Sequence, residues 1–206
     1  MSEQLEVDVL IVGAGMAGLT AATQLYSEGF NVRIVERESV IGGRIRTDVV
    51  DGFKIDYGFQ VYLTAYPKAQ EVLDLEQLDL QPFSPGAIIW TGKEFTSVID
   101  PLRRPSKIVK TIRSKIGSFN DKFKVLRLRK SVLIPSLSTL FIRRETTTSE
   151  KLQSLKFTSR FINSFFRPFF GGIFLESELR TSSRFFDFVF RMFTQGDGAV
   201  PSNGMA

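Results

Sequence analysis

The sequence predicts an α/β fold that begins with a strand–helix–strand unit and continues into a mixed, largely helical region. Three observations predict this fold. A β-branched and apolar run at residues 7–12 ends directly at a glycine-rich stretch. Apolar residues then recur at helical spacing, and a second short apolar run follows at residues 31–35. A strand, a helix and a second strand within about thirty residues form a parallel βαβ unit.

The first elements follow in order from these patterns. Residues 7–12 are predicted to form a buried parallel strand, because the run is short, apolar and bounded by glycine. The next segment is predicted to be a helix that packs on the sheet and ends near Gly29. Its apolar stripe consists of Met16, Leu19, Ala22 and Leu25. The second strand is predicted over residues 31–35, with Glu36 as its terminal residue.

Later elements are marked by turn residues. Short extended pieces and a loop are expected over residues 51–66, and a helix is expected to begin at Pro67 and continue through Leu75. Two apolar runs flank Thr91-Gly92-Lys93, which predicts a β-hairpin. The last third is rich in phenylalanine, with 12 of the 20 lying between Phe157 and Phe193. A phenylalanine stripe is more often core than substrate pocket, and both interpretations remain open at this point.

The composition of the 206-residue chain is that of a globular protein and excludes several kinds of chemistry. Hydrophobic residues make up 43% of the chain, and the mean hydropathy is +0.01. Cysteine and histidine are both absent, which excludes disulfides, thiolate nucleophiles, Ser-His-Asp triads and the commonest zinc ligands within this stretch. Neither an apolar run of about eighteen residues nor a signal-peptide pattern occurs. The expected location is the cytoplasm, and a position peripheral to a membrane remains open.

The glycine-rich stretch Gly13-Ala14-Gly15-Met16-Ala17-Gly18 has the pattern of a dinucleotide-binding loop. In such a loop Gly13 allows the tight turn, Gly15 lets the backbone approach a pyrophosphate, and Gly18 lets helix and strand pack closely. The helix N-terminus offers unpaired N–H groups and a partial positive charge to phosphates. Glu36 can accept hydrogen bonds from both hydroxyls of an adenosine ribose and would repel a 2′-phosphate, which disfavours an NADP-type cofactor.

A second motif follows the loop and distinguishes between dinucleotides. It consists of Glu36, then Gly42-Gly43-Arg44, then Asp56-Tyr57-Gly58. The pattern resembles that of the flavin-containing amine oxidase superfamily, which includes protoporphyrinogen oxidases and phytoene-desaturase-like enzymes. The resemblance extends residue by residue across residues 7–60. It implies that the Gly-Gly-Arg turn runs along an extended FAD and that the Asp-x-Gly loop leads toward the isoalloxazine ring.

A third segment extends the resemblance. The sequence FFRPFFGGIFLESELRTSSRFFDFVFRMFTQGDGAVPSNGM is similar to the substrate-domain segment of FAD-dependent oxidoreductases of this superfamily, in which aromatic helices cover the flavin and line a lipophilic cavity. The family continues well beyond Met205, so the chain is expected to be its N-terminal part. Without the later strands the sheet would expose edges and apolar surface, and the isolated chain is expected to bind FAD poorly or to be inactive.

The resemblance therefore implies an FAD-dependent oxidoreductase in which hydride passes from an apolar substrate to flavin. The implied fold is a Rossmann-like FAD-binding domain with an inserted mixed, largely helical substrate region. Residues 1–66 would be the N-terminal βαβ part of the FAD-binding domain, and residues 67–206 would be a partial substrate region. No residue is assigned as catalytic, and no metal is expected. The candidate FAD-binding residues are Gly13, Gly15, Met16, Ala17, Gly18, Glu36, Arg37, Gly42, Gly43, Arg44 and Gly58.

Two other functions remain open. An NAD-dependent dehydrogenase would use the same first loop, although the Gly42-Gly43-Arg44 turn argues against it. A non-catalytic lipid-binding protein on the same scaffold is the other, as in the Rab-escort and GDP-dissociation-inhibitor proteins. Retention of a complete phosphate loop with Glu36 favours a cofactor instead.

Charge is divided unevenly along the chain. Residues 1–100 hold 7 Lys/Arg and 15 Asp/Glu, whereas residues 101–206 hold 20 and 7. The basic region at residues 103–130 leaves three interpretations open, namely solvated helix faces, peripheral contact with anionic lipid headgroups, and nucleic-acid binding. Nucleic acid is not expected, because no recognised nucleic-acid module accompanies the charge. Contact with a membrane would suit a small, lipophilic substrate drawn from the bilayer.

Overall fold

The computed structural model describes residues 6–58, 61–100, 102–107, 109, 113–114 and 116–205. The chain divides into two units. The first unit contains residues up to 62, residues 66–82 and residues from 199 onwards, and the second contains residues 63–65 and 83–198. The first unit is thus assembled from three separate stretches of the sequence.

The first unit begins with the predicted βαβ arrangement. Strand β1 (Val9–Val12) pairs in parallel with β2 (Val32–Val35), and helix α1 (Met16–Ser27) connects them. The first strand begins two residues later than predicted, directly after Asp8, whose carboxylate accepts the N–H of Asn31 at 2.7 Å. Glu36 follows β2 instead of ending it.

The remaining elements of the first unit are short. Strands β3 (Thr47–Val50) and β4 (Phe53–Asp56) form an antiparallel hairpin around Asp51 and Gly52, which both have positive φ as a tight two-residue turn requires. Helix α2 (Pro67–Val72) ends before the predicted Leu75, because the Asp74 carboxylate accepts the N–H groups of Glu76 and Gln77 and begins a turn. The other strands are β5 (Tyr62–Leu63), β6 (Leu80–Pro82) and β9 (Gly198–Pro201), and β6 pairs antiparallel with β9.

The second unit contains the predicted hairpin followed by helices. Strands β7 (Gly86–Trp90) and β8 (Phe95–Ile99) pair antiparallel around the Thr91-Gly92-Lys93 turn. A 3-10 turn covers Pro105–Lys107. The helices are α3 (Phe119–Leu133), α4 (Leu137–Phe141), α5 (Thr148–Ser154), α6 (Ser159–Phe161), a π-helical segment (Ile162–Phe166), α7 (Arg167–Phe174) and α8 (Ser183–Gln195). Much of the basic stretch between the 3-10 turn and α3 lies outside the described residues.

Phenylalanine builds the core of the second unit. Its largest fully buried side chains include Phe166, Phe170 and Phe186, whose rings pack edge-on or tilted with centroids between 4.7 and 6.2 Å apart. The core interpretation of the phenylalanine-rich segment is therefore confirmed for these residues. Each buried phenylalanine contributes on the order of 2–3 kcal/mol of hydrophobic stabilisation.

Two buried carboxylates hold helices of the second unit together. Asp121 accepts four hydrogen bonds, from the N–H and hydroxyl of Ser118 and from the N–H and hydroxyl of Thr158, which joins the start of α3 to the start of α6. Asp187 on α8 accepts from Arg143 at 2.7 Å and from Lys151 on α5 at 2.5 Å. Its other oxygen, Oδ1, is buried and has no hydrogen-bond partner.

Within the described residues, no helix is both long enough and apolar enough to cross a membrane.

Candidate cofactor-binding site

The three glycines of the first loop have three different structural situations. Gly13 has a φ of +99°, which side-chain-bearing residues rarely adopt. Gly18 lies so close to β1 that a Cβ there would overlap the carbonyl oxygen of Gly13 and lie 3.3 Å from Ile11 Cγ2. Gly15 has an ordinary φ of −79°, and a Cβ there would meet no protein atom within 4 Å. The fold therefore requires glycine at 13 and 18 but not at 15.

Gly15 is the N-cap of α1, where the lack of a side chain has a chemical consequence. Ser, Thr, Asp or Asn is the usual N-cap because its oxygen accepts a helix N–H, and no side chain caps α1. The first N–H groups of a helix have no partner inside that helix, and the helix dipole places partial positive charge there. A glycine at this cap leaves the backbone open to a phosphate, so the residues present fit a pyrophosphate.

Glu36 is tied to the loop by its carboxylate. Its Oε2 accepts the N–H of Ala14 at 2.7 Å, and its Oε1 accepts the N–H of Glu38 at 2.9 Å. These two bonds, that of Glu38 first, lower the pKa of Glu36 below its ordinary value of 4.5 and keep the group ionised near neutral pH. Each carboxylate oxygen has a second lone pair, so the exposed side chain can still accept ribose hydroxyls.

The second glycine turn packs directly against the first loop. Gly42 donates its N–H to the carbonyl of Ala14 at 2.9 Å, and Gly42 and Gly15 form an isolated parallel bridge. Gly42 and Gly43 have φ values of +106° and +58°, and a Cβ on Gly43 would lie 3.4 Å from Gly15 Cα. The structure thus brings the two sequence motifs together at Gly15.

The remaining predicted site residues lie around this contact. Arg44 is exposed on the 3-10 turn Gly43–Ile45, and a Cβ on Gly58 would be 2.5 Å from the carbonyl oxygen of Arg44. Met16 and Ala17 are exposed in the first turn of α1. Arg37 is exposed and pairs with Glu38 at 3.0 Å. Their contact with a cofactor stays a prediction.

The motif pattern missed two structural partners. Ala14 holds both Glu36 and Gly42 through its backbone, and no side-chain pattern marks a backbone contact. Arg46 donates to the hydroxyl of Tyr57 at 2.5 Å, and this bond raises the pKa of Arg46. The guanidinium also lies 4.1 Å from the Tyr57 ring centroid. The aromatic ring and the hydroxyl of Tyr57 thus fix the arginine that follows the second turn.

Asp56 has a structural task in the Asp-Tyr-Gly segment. Its Oδ1 accepts the hydroxyl of Thr47 at 2.5 Å and the N–H of Met205 at 3.1 Å. A Cβ on Gly204 would be 2.6 Å from Thr47 Cγ2, so the Gly204-Met205 segment lies tightly on the β3–β4 hairpin. No group of three or more acidic residues that could hold a metal occurs in the described ranges.

Sequence comparison places this site in a known family. The family model for flavin-containing amine oxidoreductases matches residues 16–206. Protoporphyrinogen oxidase 2 of Arabidopsis thaliana is 30% identical over 118 residues, which cover 57% of this chain and 23% of the relative. A carotenoid 3,4-desaturase of Haloarcula japonica is 36% identical over 89 residues, which cover 38% of this chain and 18% of the relative.

Solved structures agree on the fold. A putrescine oxidase bound to putrescine superposes with a TM-score of 0.62 at 22% identity, over 98% of this chain and 47% of that one. An oxidoreductase from Methanosarcina mazei superposes with a TM-score of 0.57 at 20% identity, over 95% of this chain and 46% of that one. The chain thus spans about half of these structures and about a quarter or less of the curated relatives. With its βαβ loop, its second glycine turn and this match, the chain belongs to the flavin-containing amine oxidoreductase family, whose members are FAD-dependent oxidoreductases.

Proposed function

We propose that this chain holds FAD across the two glycine motifs and is the FAD-binding part of an oxidoreductase that oxidises a small, apolar substrate. The observation that supports the FAD proposal is the contact of Gly42-Gly43 with Gly15. A nicotinamide dinucleotide requires only the first loop, whereas an extended FAD would run along both glycine turns. Matches to proteins named as a protoporphyrinogen oxidase and a carotenoid desaturase support the apolar substrate class.

Each part of the site has one task in this proposal. The N-terminus of α1 binds the pyrophosphate at Gly15, Glu36 orients the adenosine ribose, and Arg44 supplies positive charge beside the cofactor. When bound, FAD supplies the hydride-accepting chemistry of its flavin ring. The task of the chain is to position the cofactor and the substrate. Positioning matters more here than a protein base, because flavin oxidations do not depend on such a base in every case.

The test compares Gly15→Val with Gly172→Val in a longer protein that contains this chain, because the isolated chain is expected to bind FAD poorly. Both glycines have ordinary φ values, and a Cβ at either position meets no protein atom within 4 Å. We expect Gly15→Val to fold normally but to lose FAD by at least about tenfold in affinity, because its side chain occupies the pyrophosphate position. Gly172→Val, on α7, should retain FAD.

Flavin absorbance of the purified protein and calorimetric titration with FAD give the readout. Equal FAD affinity in the unchanged protein and in Gly15→Val would remove the basis of the proposal. Binding of NAD with no binding of FAD would favour a nicotinamide-dependent dehydrogenase. Absence of flavin absorbance in the longer protein would favour the non-catalytic lipid-binding alternative.

A further inference from the structure

The outer face of helix α3 has an unusual composition for a helix at a protein surface. The helix turns Leu128 and Val132 into the core of the second unit. The opposite face exposes Phe119 (73%), Phe123 (56%) and Leu126 (38%), and Ile134 (80%) follows directly after the last turn. A surface helix ordinarily presents polar residues on that side.

These exposed side chains share one face because of their spacing. Residues 119, 123, 126, 130 and 134 follow each other at intervals of three or four, which places them in one row along an α-helix. Together with Arg127 they form what we call the outer α3 face. A contiguous row of exposed large apolar side chains marks an interaction surface, whereas single exposed apolar residues are ordinary.

The charge of the outer α3 face is exclusively positive. Arg127 and Lys130 are exposed, and neither forms an ion pair with any residue that the structure describes. Arg129, by contrast, turns inward to pair with Asp100 at 2.6 Å. Asp121 is the acidic residue of α3, and it is buried and bound to Ser118 and Thr158. The row of apolar side chains is therefore accompanied by two uncompensated cations.

We propose that the outer α3 face docks on the surface of an anionic lipid bilayer. Phe119, Phe123 and Leu126 would enter the boundary between headgroups and acyl chains, while Arg127 and Lys130 extend their charged ends to lipid phosphates. Aromatic and aliphatic side chains in one row favour lipid over nucleic acid, since Leu126 and Ile134 offer no surface on which bases stack. The inference goes beyond the proposed function, because it concerns the second unit alone and requires no cofactor.

Vesicle binding tests the charge component. The protein, without FAD, is sedimented with phosphatidylcholine vesicles and with vesicles in which roughly one lipid in three is phosphatidylserine. We expect binding to the anionic vesicles, suppressed by high salt. Arg127→Gln/Lys130→Gln should bind about thirtyfold more weakly, because each basic residue near an anionic surface contributes about a fivefold factor. The control Arg33→Gln/Arg160→Gln removes two exposed cations elsewhere and should bind unchanged.

Fluorescence tests the apolar component. Phe123→Trp in a Trp90→Phe background carries one tryptophan on the outer α3 face, and Tyr26→Trp in the same background carries it on α1. Anionic vesicles should shift the emission of the first protein to shorter wavelength, and brominated acyl chains should quench it. The Tyr26→Trp protein should show neither effect. Because residue 123 is exposed, its replacement should leave the circular dichroism spectrum unchanged.

Three results would overturn the proposal. The first is absence of vesicle binding by a protein with a folded circular dichroism spectrum. The second is equal binding to neutral and anionic vesicles, or equal weakening in the control pair. The third is a dimer in analytical ultracentrifugation, without lipid, that Phe123→Gln/Leu126→Gln dissociates, since a second copy would then cover this face. Loss of FAD binding in any variant would bear on the proposed function and not on the lipid surface.

Discussion

Gly15 and Gly18 are three residues apart in one motif, but their replacement should affect the stability of the fold very differently. Gly18→Ala places a Cβ against the carbonyl oxygen of Gly13, so β1 and α1 must separate. We expect a loss of about 2 kcal/mol or more in the free energy of unfolding, as for overpacking in a tight core. Urea denaturation measures it, with Gly15→Ala as the matched control. A similar change in both variants would contradict the packing role of Gly18.

The carboxylate of Glu36 gives the loop a dependence on pH. Its pKa is lowered in the folded chain below 4.5, first by the N–H of Glu38 and then by that of Ala14. A lowered pKa means that the stabilisation is complete above the unfolded pKa and is lost as the pH falls through the folded pKa. The difference in unfolding free energy between the unchanged chain and Glu36→Gln should therefore shrink from pH 6 toward pH 3. A difference that is constant over this range would show that the two hydrogen bonds are not formed.

The residue pattern anticipated the backbone geometry of the two glycine turns, for a physical reason. Gly13, Gly18, Gly42 and Gly43 have a positive φ or a close backbone approach, which glycine tolerates far better than other residues, so the sequence itself reports the backbone geometry. The role of Ala14 could not be predicted in the same way. Its contribution comes from backbone atoms, which every residue carries.

At the scale of the elements, Asp121 connects two helix starts. Burial alone would raise the pKa of Asp121, but the hydrogen bonds from Thr158 and Ser118 outweigh it and lower the pKa from 3.8. Asp121→Asn replaces one carboxylate oxygen by an NH2 group, although all four groups around it donate hydrogen bonds. We therefore expect a loss of about 3 kcal/mol in the free energy of unfolding. Chemical denaturation at pH 7 measures it. The control is Asp74→Asn in an exposed turn, where asparagine keeps an oxygen that can accept the same two N–H groups, and the expected loss there is below about 0.5 kcal/mol.

The same lowered pKa determines how Asp121 responds to acid. Its stabilisation is present above the unfolded pKa and should disappear as the pH falls below 3.8 through the folded pKa. In the denaturation experiment at pH 7, an equal loss of unfolding free energy in Asp121→Asn and Asp74→Asn would contradict the linking role of Asp121.

Local turn chemistry predicted some elements well and others poorly. The β7–β8 hairpin is where Thr91-Gly92-Lys93 predicts it, because a glycine turn between two apolar runs determines its own register. The end of α2 depends on how Asp74 uses its side chain, so its prediction was three residues too long. The π-helical segment before Pro168 was not predicted. Proline removes one backbone donor, and the pattern does not show how the preceding turn adjusts.

At the scale of the whole molecule, burial differs sharply between helices. None of the residues of α1 is buried, whereas α8 has six buried residues. Local opening costs less where few apolar contacts must be broken. We therefore expect the backbone amides of α1 to exchange with deuterium faster than those of α8, and we expect FAD to slow the exchange in α1. Hydrogen-exchange mass spectrometry gives both rates, and equal protection without FAD would contradict this expectation.

The molecule as a whole was less predictable than its first sixty residues. The βαβ unit is local in sequence, and each of its signals lies within one strand or one turn. The pairing of β6 with β9 joins residues 80–82 to residues 199–201, and short strands of this kind have no pattern that identifies their partner. The same holds for Met205, whose N–H binds Asp56 across most of the chain.

The double engagement of Glu36 limits how cofactor preference could be redesigned. Acceptance of a phosphorylated ribose would ordinarily be engineered by exchanging this acidic residue for a neutral or basic one. In this chain the exchange also removes the acceptor of the Ala14 N–H, and Ala14 in turn accepts from Gly42. A redesigned variant would therefore need a replacement acceptor for that N–H, such as an asparagine or serine oxygen, before its ribose selectivity could be altered independently of the loop.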